Sequence, residues 1–233
     1  MKLSLKLPLA FAAALSLLLA GALFGIYQLN RAVTTYENDV LHHVAANKKA
    51  AETIGFFAVA IQEWKNVLLR GKDPKELEKY WESHVKEMNK VSDGLRTLQS
   101  MVTAGTAKST LDKLTTALTS ANDGYKKAFE EFKASGMDSV AGDKSARGKD
   151  REAVALMSEL QKLLSQAEAD AAKAANTDAK AATSLAISIM VVVAILTMAV
   201  ALHWSRQITT ALNEAVQEQR LAMEQIQRAR DLA

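Results

Sequence analysis

Between residues 31 and 180, apolar residues recur at alternating steps of four and three, the spacing of helices that each bury one stripe. Four such stretches can be followed. The first runs through Val33, Val40, Val44, Ala51, Ile54, Ala58, Ile61 and Leu68, interrupted by Glu37, Asn47 and Lys65. It stops at Arg70-Gly71-Lys72-Asp73-Pro74. There Gly71 suits a helix C-terminus, Asp73 can cap the next helix and Pro74 fits its first turn. The second stretch carries Leu77, Trp81, His84, Met88, Val91, Leu95, Leu98 and Val102, and Thr103-Ala104-Gly105-Thr106 breaks it. The third carries Leu111, Leu114, Leu118, Ala121, Tyr125, Ala128 and Phe132. An irregular stretch, residues 135–149 with Gly136, Gly142 and Gly148, precedes the fourth. That one has Ala153, Met157, Leu160, Leu164, Ala167, Ala171, Ala174, Ala181 and Leu185 on its seam, with Asp178 as the polar exception. The pattern predicts an all-α fold, an antiparallel up-down-up-down four-helix bundle.

Two segments depart from this pattern by having no charge. Leu7 to Asn30 is 24 residues long, and Ala181 to Ser205 is 25 residues with His203 as its one titratable group. As helices they measure about 36 Å or more, against a hydrocarbon core of roughly 30 Å. Both are expected to span a bilayer. Lys2 and Lys6 precede the first and Arg206 follows the second, which favours both termini on the cytoplasmic side. The first apolar stretch exceeds a secretory h-region of about 7–15 residues, so an uncleaved anchor is expected despite the cleavage-like Ala20-Gly21-Ala22. The expected organisation is a cytoplasmic end at 1–6, a span at 7–30 and an exported bundle at 31–180. A second span follows at 181–205 and a cytoplasmic helix at 206–233. Both spans run into the bundle without a turn signal or a change of phase, so the outer helices should carry displacement across the membrane. Beyond the second span, Ile208, Leu212, Ala215, Gln219, Ala222, Ile226, Ala229 and Ala233 continue a weak coiled-coil seam. These last residues are too few to bury a core, so any output domain is expected outside them.

Composition supports the helical reading and removes several chemistries. Among 233 residues there are only 2 prolines and 10 glycines, well below ordinary usage. The net charge of +3 is small and dispersed, so nucleic acid is not an expected partner. There is no cysteine, hence no disulfide framework, thiolate nucleophile or zinc ribbon. No glycine-rich phosphate loop and no nucleophile–base arrangement can be read. His42 and His43 are adjacent and face different directions on a helix, so they do not chelate together. No enzyme activity, metal or other cofactor is expected.

Candidate chemistry gathers where the turns fall. An antiparallel bundle places the first-to-second and third-to-fourth connections at one end, the membrane-distal one. Arg70, Lys72, Arg147, Lys149 and Arg151 converge there, with Trp64, Tyr80 and Trp81 nearby. Cationic forks beside aromatic walls suit a small anionic or aromatic ligand. Asp73, Glu76, Glu78, Asp143, Asp150 and Glu152 lie among them and can neutralise the cations. Trp81 also fits plain packing. His84, the polar member of the second seam, can hydrogen-bond a ligand, sense pH or simply be a satisfied core group. The expected ligand-binding set is Trp64, Arg70, Tyr80, Trp81, His84, Arg147 and Arg151.

The turn segments carry a family resemblance. Residues 62–74, Gln62-Glu63-Trp64-Lys65-Asn66-Val67-Leu68-Leu69-Arg70-Gly71-Lys72-Asp73-Pro74, with Lys79-Tyr80-Trp81 after them, resemble the external sensor bundle of bacterial methyl-accepting chemotaxis proteins. Phe132-Lys133-Ala134-Ser135-Gly136-Met137-Asp138 and Ala146-Arg147-Gly148-Lys149-Asp150-Arg151 are similar to the segment joining the third and fourth helices in that group. Ser205-Arg206-Gln207-Ile208-Thr209-Thr210 looks like the opening of a HAMP linker, although Ala211 stands where that pattern usually has proline. The methylation helices and signalling hairpin are not represented in these residues. The resemblance implies an inner-membrane receptor whose partners are the lipid bilayer, a small-molecule ligand and a second copy or a mixed receptor array. Similar bundles front histidine kinases and diguanylate cyclases. A membrane-anchored modulatory coiled coil is the alternative from a different class.

Overall fold

The computed structural model describes residues 3–231, with side chains described at residues 8, 9 and 11–228. Lys2, Lys6, Leu7, Ala229 and Ala233 of the preceding reading therefore fall outside the described residues or side chains. Every regular element among the described residues is helical. They are α1 (Leu3–Thr35), a π-turn (Tyr36–Val40), α2 (Leu41–Arg70), α3 (Pro74–Met101), α4 (Gly105–Ala134), α5 (Ser139–Ala146) and α6 (Arg151–Asp231). The all-α expectation holds. The chain divides into two compact units, residues 35–175 and residues 1–34 with 176–233.

The first unit is the bundle. Its core is contributed by α2, α3, α4 and the start of α6. Phe57, Met88, Val91, Leu98, Leu111, Leu114, Met157 and Leu160 form one buried cluster. A second, richer in aromatics, contains Trp64, Val67, Tyr80, Tyr125, Phe129 and Phe132. The α2–α3 turn follows the predicted chemistry: Asp73 accepts from the backbone N–H of Lys75 at 2.8 Å, and Pro74 opens α3. At the end of α4, Gly136 has φ +72°, and the N–H of Met137 reaches back to the Phe132 carbonyl at 3.0 Å. Together with the Gly136 N–H on Lys133 O at 3.1 Å this is a Schellman closure.

Three sequence expectations need correction. The stretch 135–149 is not irregular throughout, because α5 occupies Ser139–Ala146 and buries Gly142 and Ala146. The passage from α1 into α2 is not phase-continuous. A π-turn intervenes, with the Leu41 N–H bonded to Tyr36 O, so one turn holds an extra residue. Finally, the buried stripe of α2 is Ala46, Ala50, Thr53, Phe57, Ala60, Trp64 and Val67. The expected positions Val44, Ala51, Ile54, Ala58, Ile61 and Leu68 each lie one residue or more away from it and are exposed or half-buried. The physical reason is that α2 is apolar over two adjacent faces, so spacing alone does not choose between them.

The second unit contains the apolar lengths of α1 and α6. Both helices are long and apolar enough to cross a membrane, and their apolar windows are not covered by the rest of the chain. Leu15, Leu19, Ile195 and Leu196 are all exposed. Thr183, Ser188 and Thr197 donate to carbonyls one turn back, at 2.8, 2.9 and 2.8 Å. Their hydroxyl protons are thus satisfied within the helix, as an apolar medium requires.

Candidate functional site

Aromatic rings from three helices pack into one cluster at the turn end of the bundle. Trp81 of α3 stacks on Phe129 of α4 with centroids 3.9 Å apart and on His84 at 5.2 Å. Trp64 of α2 meets Trp81, His84 and Tyr125 at 6.3, 6.4 and 5.6 Å. Tyr80 is buried in the same cluster. The i, i+3 and i, i+4 spacings of Trp81, His84 and Met88, and of Tyr125, Phe129 and Phe132, place these groups on the facing stripes of α3 and α4.

His84 is 1% exposed. Its Nδ1–H donates to the carbonyl of Ala60 at 2.8 Å, which fixes the neutral tautomer with an unprotonated Nε2. That Nε2 is buried and has no hydrogen-bond partner. Burial holds the imidazole below its ordinary pKa, against the opposing influence of the Ala60 carbonyl and the Glu63 carboxylate. Tyr125 is pushed above the usual phenol range by burial and by the Asp150 carboxylate that its hydroxyl meets.

The expected set is therefore distributed over two environments. Trp64, Trp81 and His84 are brought together within the packed rings. Arg70 donates to the Tyr80 hydroxyl, and its guanidinium carbon lies 5.4 Å from the Tyr80 ring centroid. Lys79 lies 4.7 Å from that same ring, so Tyr80 carries two cations. Arg147 pairs with Asp143 at 2.8 Å, both largely exposed. Arg151 is exposed beside Gly148. Among the described residues no group of three or more His, Asp or Glu is placed to hold a metal ion.

A polar link between α2 and α6 escaped the sequence reading. Asn47 donates to Glu168 at 2.6 Å and accepts from the Gln161 amide. The second oxygen of this arrangement, Gln161 Oε1, is buried without a partner. Nearby, Thr110 of α4 donates to Glu159 at 3.1 Å. The signal for it was present, since Asn47 interrupts an apolar seam; its partners, more than a hundred residues away, carried no mark. Asn47→Ala is expected to lower stability by about 2 kcal/mol, because two polar groups lose their partner at once. Replacing Asn47, Gln161 and Glu168 together by leucine should recover most of that loss. Urea titration followed by tryptophan fluorescence, on the full chain in nanodiscs, measures both.

Alongside this link runs a mostly apolar groove of about 840 Å³ between α2 and α6. Ile54, Ala58 and Ile61 form one wall, and Val154 and Met157 the other. These α2 residues are the ones whose spacing had suggested the core.

The chain is 34% identical over 151 residues to the methyl-accepting chemotaxis protein CtpH of Pseudomonas aeruginosa. The match takes in 65% of this chain and 26% of that protein, so the chain spans about a quarter of the relative's length. No family model matches, and no solved structure matches. The resemblance carried by the turn segments is borne out: the chain is homologous to a bacterial chemoreceptor.

Proposed function

We propose that this chain is the sensory and membrane-spanning part of a chemoreceptor, anchored in the bacterial inner membrane with residues 31–180 in the periplasm. The observation that carries the reading is α6. One helix of 81 residues supplies both a wall of the bundle core, through Ala153, Met157, Leu160 and Leu164, and an apolar length sufficient to span a bilayer. Hydrogen-bonded helix is stiff along its axis, so a small axial or rotational shift at one end reappears at the other. Ligand-dependent repacking of α6 against its neighbours is the switching event, and chemotaxis is the output to which it is linked.

The ligand is a small extracytoplasmic anion or aromatic acid, met at the turn end of the bundle by Arg70, Arg147 and Arg151 with Tyr80 beside them, while Trp64, Trp81 and His84 form the packed wall behind. Arg70 rests on Tyr80 as a hydrogen-bond donor and stacked cation, and a carboxylate competes for the same guanidinium. A thermal-shift screen of the full chain in nanodiscs against organic, amino and aromatic acids identifies the ligand; silence across all three classes, with the chain folded, overturns direct sensing. For an acid found this way, Arg70→Lys is expected to weaken affinity at least about tenfold, roughly 1.4 kcal/mol, because lysine lacks the planar fork. Equal affinity in the lysine variant would remove Arg70 from the site.

The receptor works as a homodimer or within a mixed array. The open apolar groove along Ile54, Ala58 and Ile61 supports this reading, as does the exposed cytoplasmic stripe with Leu212 and Ile226. Single cysteines at Ile208 and Ile226 should give crosslinked dimers in membranes, and the cysteine-free background makes the readout clean.

A further inference from the structure

The two long seams made by α3 are not equivalent. Towards α2 it packs closely, with Gly94 set directly against Thr53. Towards α4 it stands further off, and a cleft of about 440 Å³ opens between them. Its floor reaches the core at Met88, Leu95 and Leu118, all buried. Its sides are lined by Ser92 and Gln99 on α3 and by Thr115, Thr119 and Asn122 on α4. The short polar side chains among these leave the seam unfilled, where larger residues would have closed it.

The hydrogen-bonding state of that lining is specific. Ser92 gives its hydroxyl proton to Met88 O at 3.2 Å, Thr115 to Leu111 O at 2.9 Å and Thr119 to Thr115 O at 2.9 Å. Each of these hydroxyls has thus spent its donor on its own helix; Ser92 and Thr119 keep lone pairs to offer, while Thr115 already accepts from the Gln99 amide across the cleft at 3.2 Å. A solute meeting Ser92 and Thr119 must bring the protons. The charged residues at the rim are Arg96, Lys126 and Asp123, and each cation faces one carboxylate, Asp93 for Arg96 and Asp123 for Lys126. Their ion pairs are long, Arg96 to Asp93 at 3.4 Å and Lys126 to Asp123 at 3.6 Å, and all four side chains are more than half exposed. Such pairs are weak and easily exchanged for another anion.

We propose that the cleft between α3 and α4 binds a small polyhydroxy carboxylate. Its hydroxyls donate to the oxygens of Ser92 and Thr119, and Asn122 both donates and accepts. Its carboxylate meets Arg96 and Lys126. Hydroxyl acceptors below two weakly paired, exchangeable cations are complementary to this class and to neither half of it alone: a neutral polyol leaves the cations unused, and a simple fatty acid leaves the hydroxyls unanswered. This site is separate from the one at Arg70 and rests on the sensory reading only for its biological use.

The test uses the full chain in nanodiscs with three probes, D-gluconate, D-sorbitol and propionate, measured by titration calorimetry and ligand-observed NMR. D-gluconate should bind, with D-sorbitol and propionate each at least about tenfold weaker. Thr119→Val, which removes an acceptor at nearly constant volume, should weaken D-gluconate about fivefold, and Asn122→Leu more than about tenfold. Three results overturn the proposal: no D-gluconate binding at millimolar concentration, equal binding of D-gluconate and either partial probe, or binding indifferent to both cleft substitutions. Loss of D-gluconate in Arg70→Lys alone would move the carboxylate to the turn end and equally refute the cleft.

Discussion

Gly94→Ala is expected to destabilise the bundle by about 2 kcal/mol, although alanine is the better helix former by about 1 kcal/mol. A Cβ at this position would lie 2.2 Å from Thr53 Oγ1 and 3.1 Å from Thr53 Cβ and Cγ2. The neighbour cannot swing aside. Thr53 is 2% exposed, and its hydroxyl is bonded to the Lys49 carbonyl at 2.8 Å; a β-branched side chain has few other rotamers on a helix. Relief therefore requires α2 and α3 to separate, which opens the core around Phe57 and Val91. Overpacking of this kind typically costs about 1–3 kcal/mol before any propensity gain. The decisive measurement is a double-mutant cycle with Thr53→Ala on the full chain in nanodiscs, followed by tryptophan fluorescence. Gly94→Ala alone should lower the melting temperature by about 4–8 °C. The double variant should regain most of that, with a coupling above about 1 kcal/mol. Additive effects would show that the helices accommodate the methyl group without conflict.

The second large effect is a loss of stability in mild acid that depends on His84. Burial among Trp64, Trp81 and Tyr125 favours the neutral ring, so the folded protein binds a proton less readily than the unfolded chain, whose histidine titrates near 6.5. The unfolded state therefore takes up more protons below that value, and stability must fall as pH falls. The contribution is complete above about pH 6.5 and is lost going down towards the folded value. The slope reaches at most about 1.4 kcal/mol per pH unit. His84→Gln can keep a donor on Ala60 O but has nothing to titrate. Unfolding midpoints measured from pH 7.5 to 5 should diverge between wild type and variant only below about pH 6.5. Parallel curves would mean that the ring is protonated in the folded state as easily as outside it. Stability falling with acid in the variant as steeply as in wild type would assign the effect to carboxylates.

Much of the architecture was legible because its determinants are local. Charge-free runs announced the apolar helices, and Gly71 with Asp73-Pro74 announced a helix end and the next start. The stripe of α4, and that of α3 from His84 onward, were read correctly because Met88, Val91 and Leu98, or Leu111, Leu114 and Leu118, had no competitor; at the start of α3, Tyr80 is buried while the expected Leu77 and Trp81 are half-buried. On α2 the same rule misplaced the core, since Phe57 and Ala58, or Ala60 and Ile61, are both apolar and adjacent. Which of them faces inward is decided by fit to α3 and α4, a long-range matter that spacing does not encode. The α5 helix was missed for the opposite reason: its sequence, Ser139-Val140-Ala141-Gly142-Asp143-Lys144-Ser145-Ala146, is too short for periodicity and holds a glycine that serves packing. Of the site, the aromatic and histidine cluster could be anticipated from three- and four-residue spacings. The pairing of Arg70 with Tyr80, of Arg147 with Asp143 and of Asn47 with Gln161 and Glu168 could not, because each depends on which of several nearby polar groups comes within reach.

The π-turn at Tyr36–Val40 bears on how sequences of this kind should be aligned. A helix that takes up one additional residue in a single turn has absorbed an insertion without making a loop. A homologue with an unbroken α-helix at this point would pair with the present chain only through a one-residue gap between positions 36 and 40. An ungapped alignment would shift every assignment on one side of it by about 100° around the helix, matching inward-facing residues to outward-facing ones. Comparisons of α2 are therefore best anchored on Trp64 and the Gly71-Lys72-Asp73-Pro74 turn, and counted backwards from there.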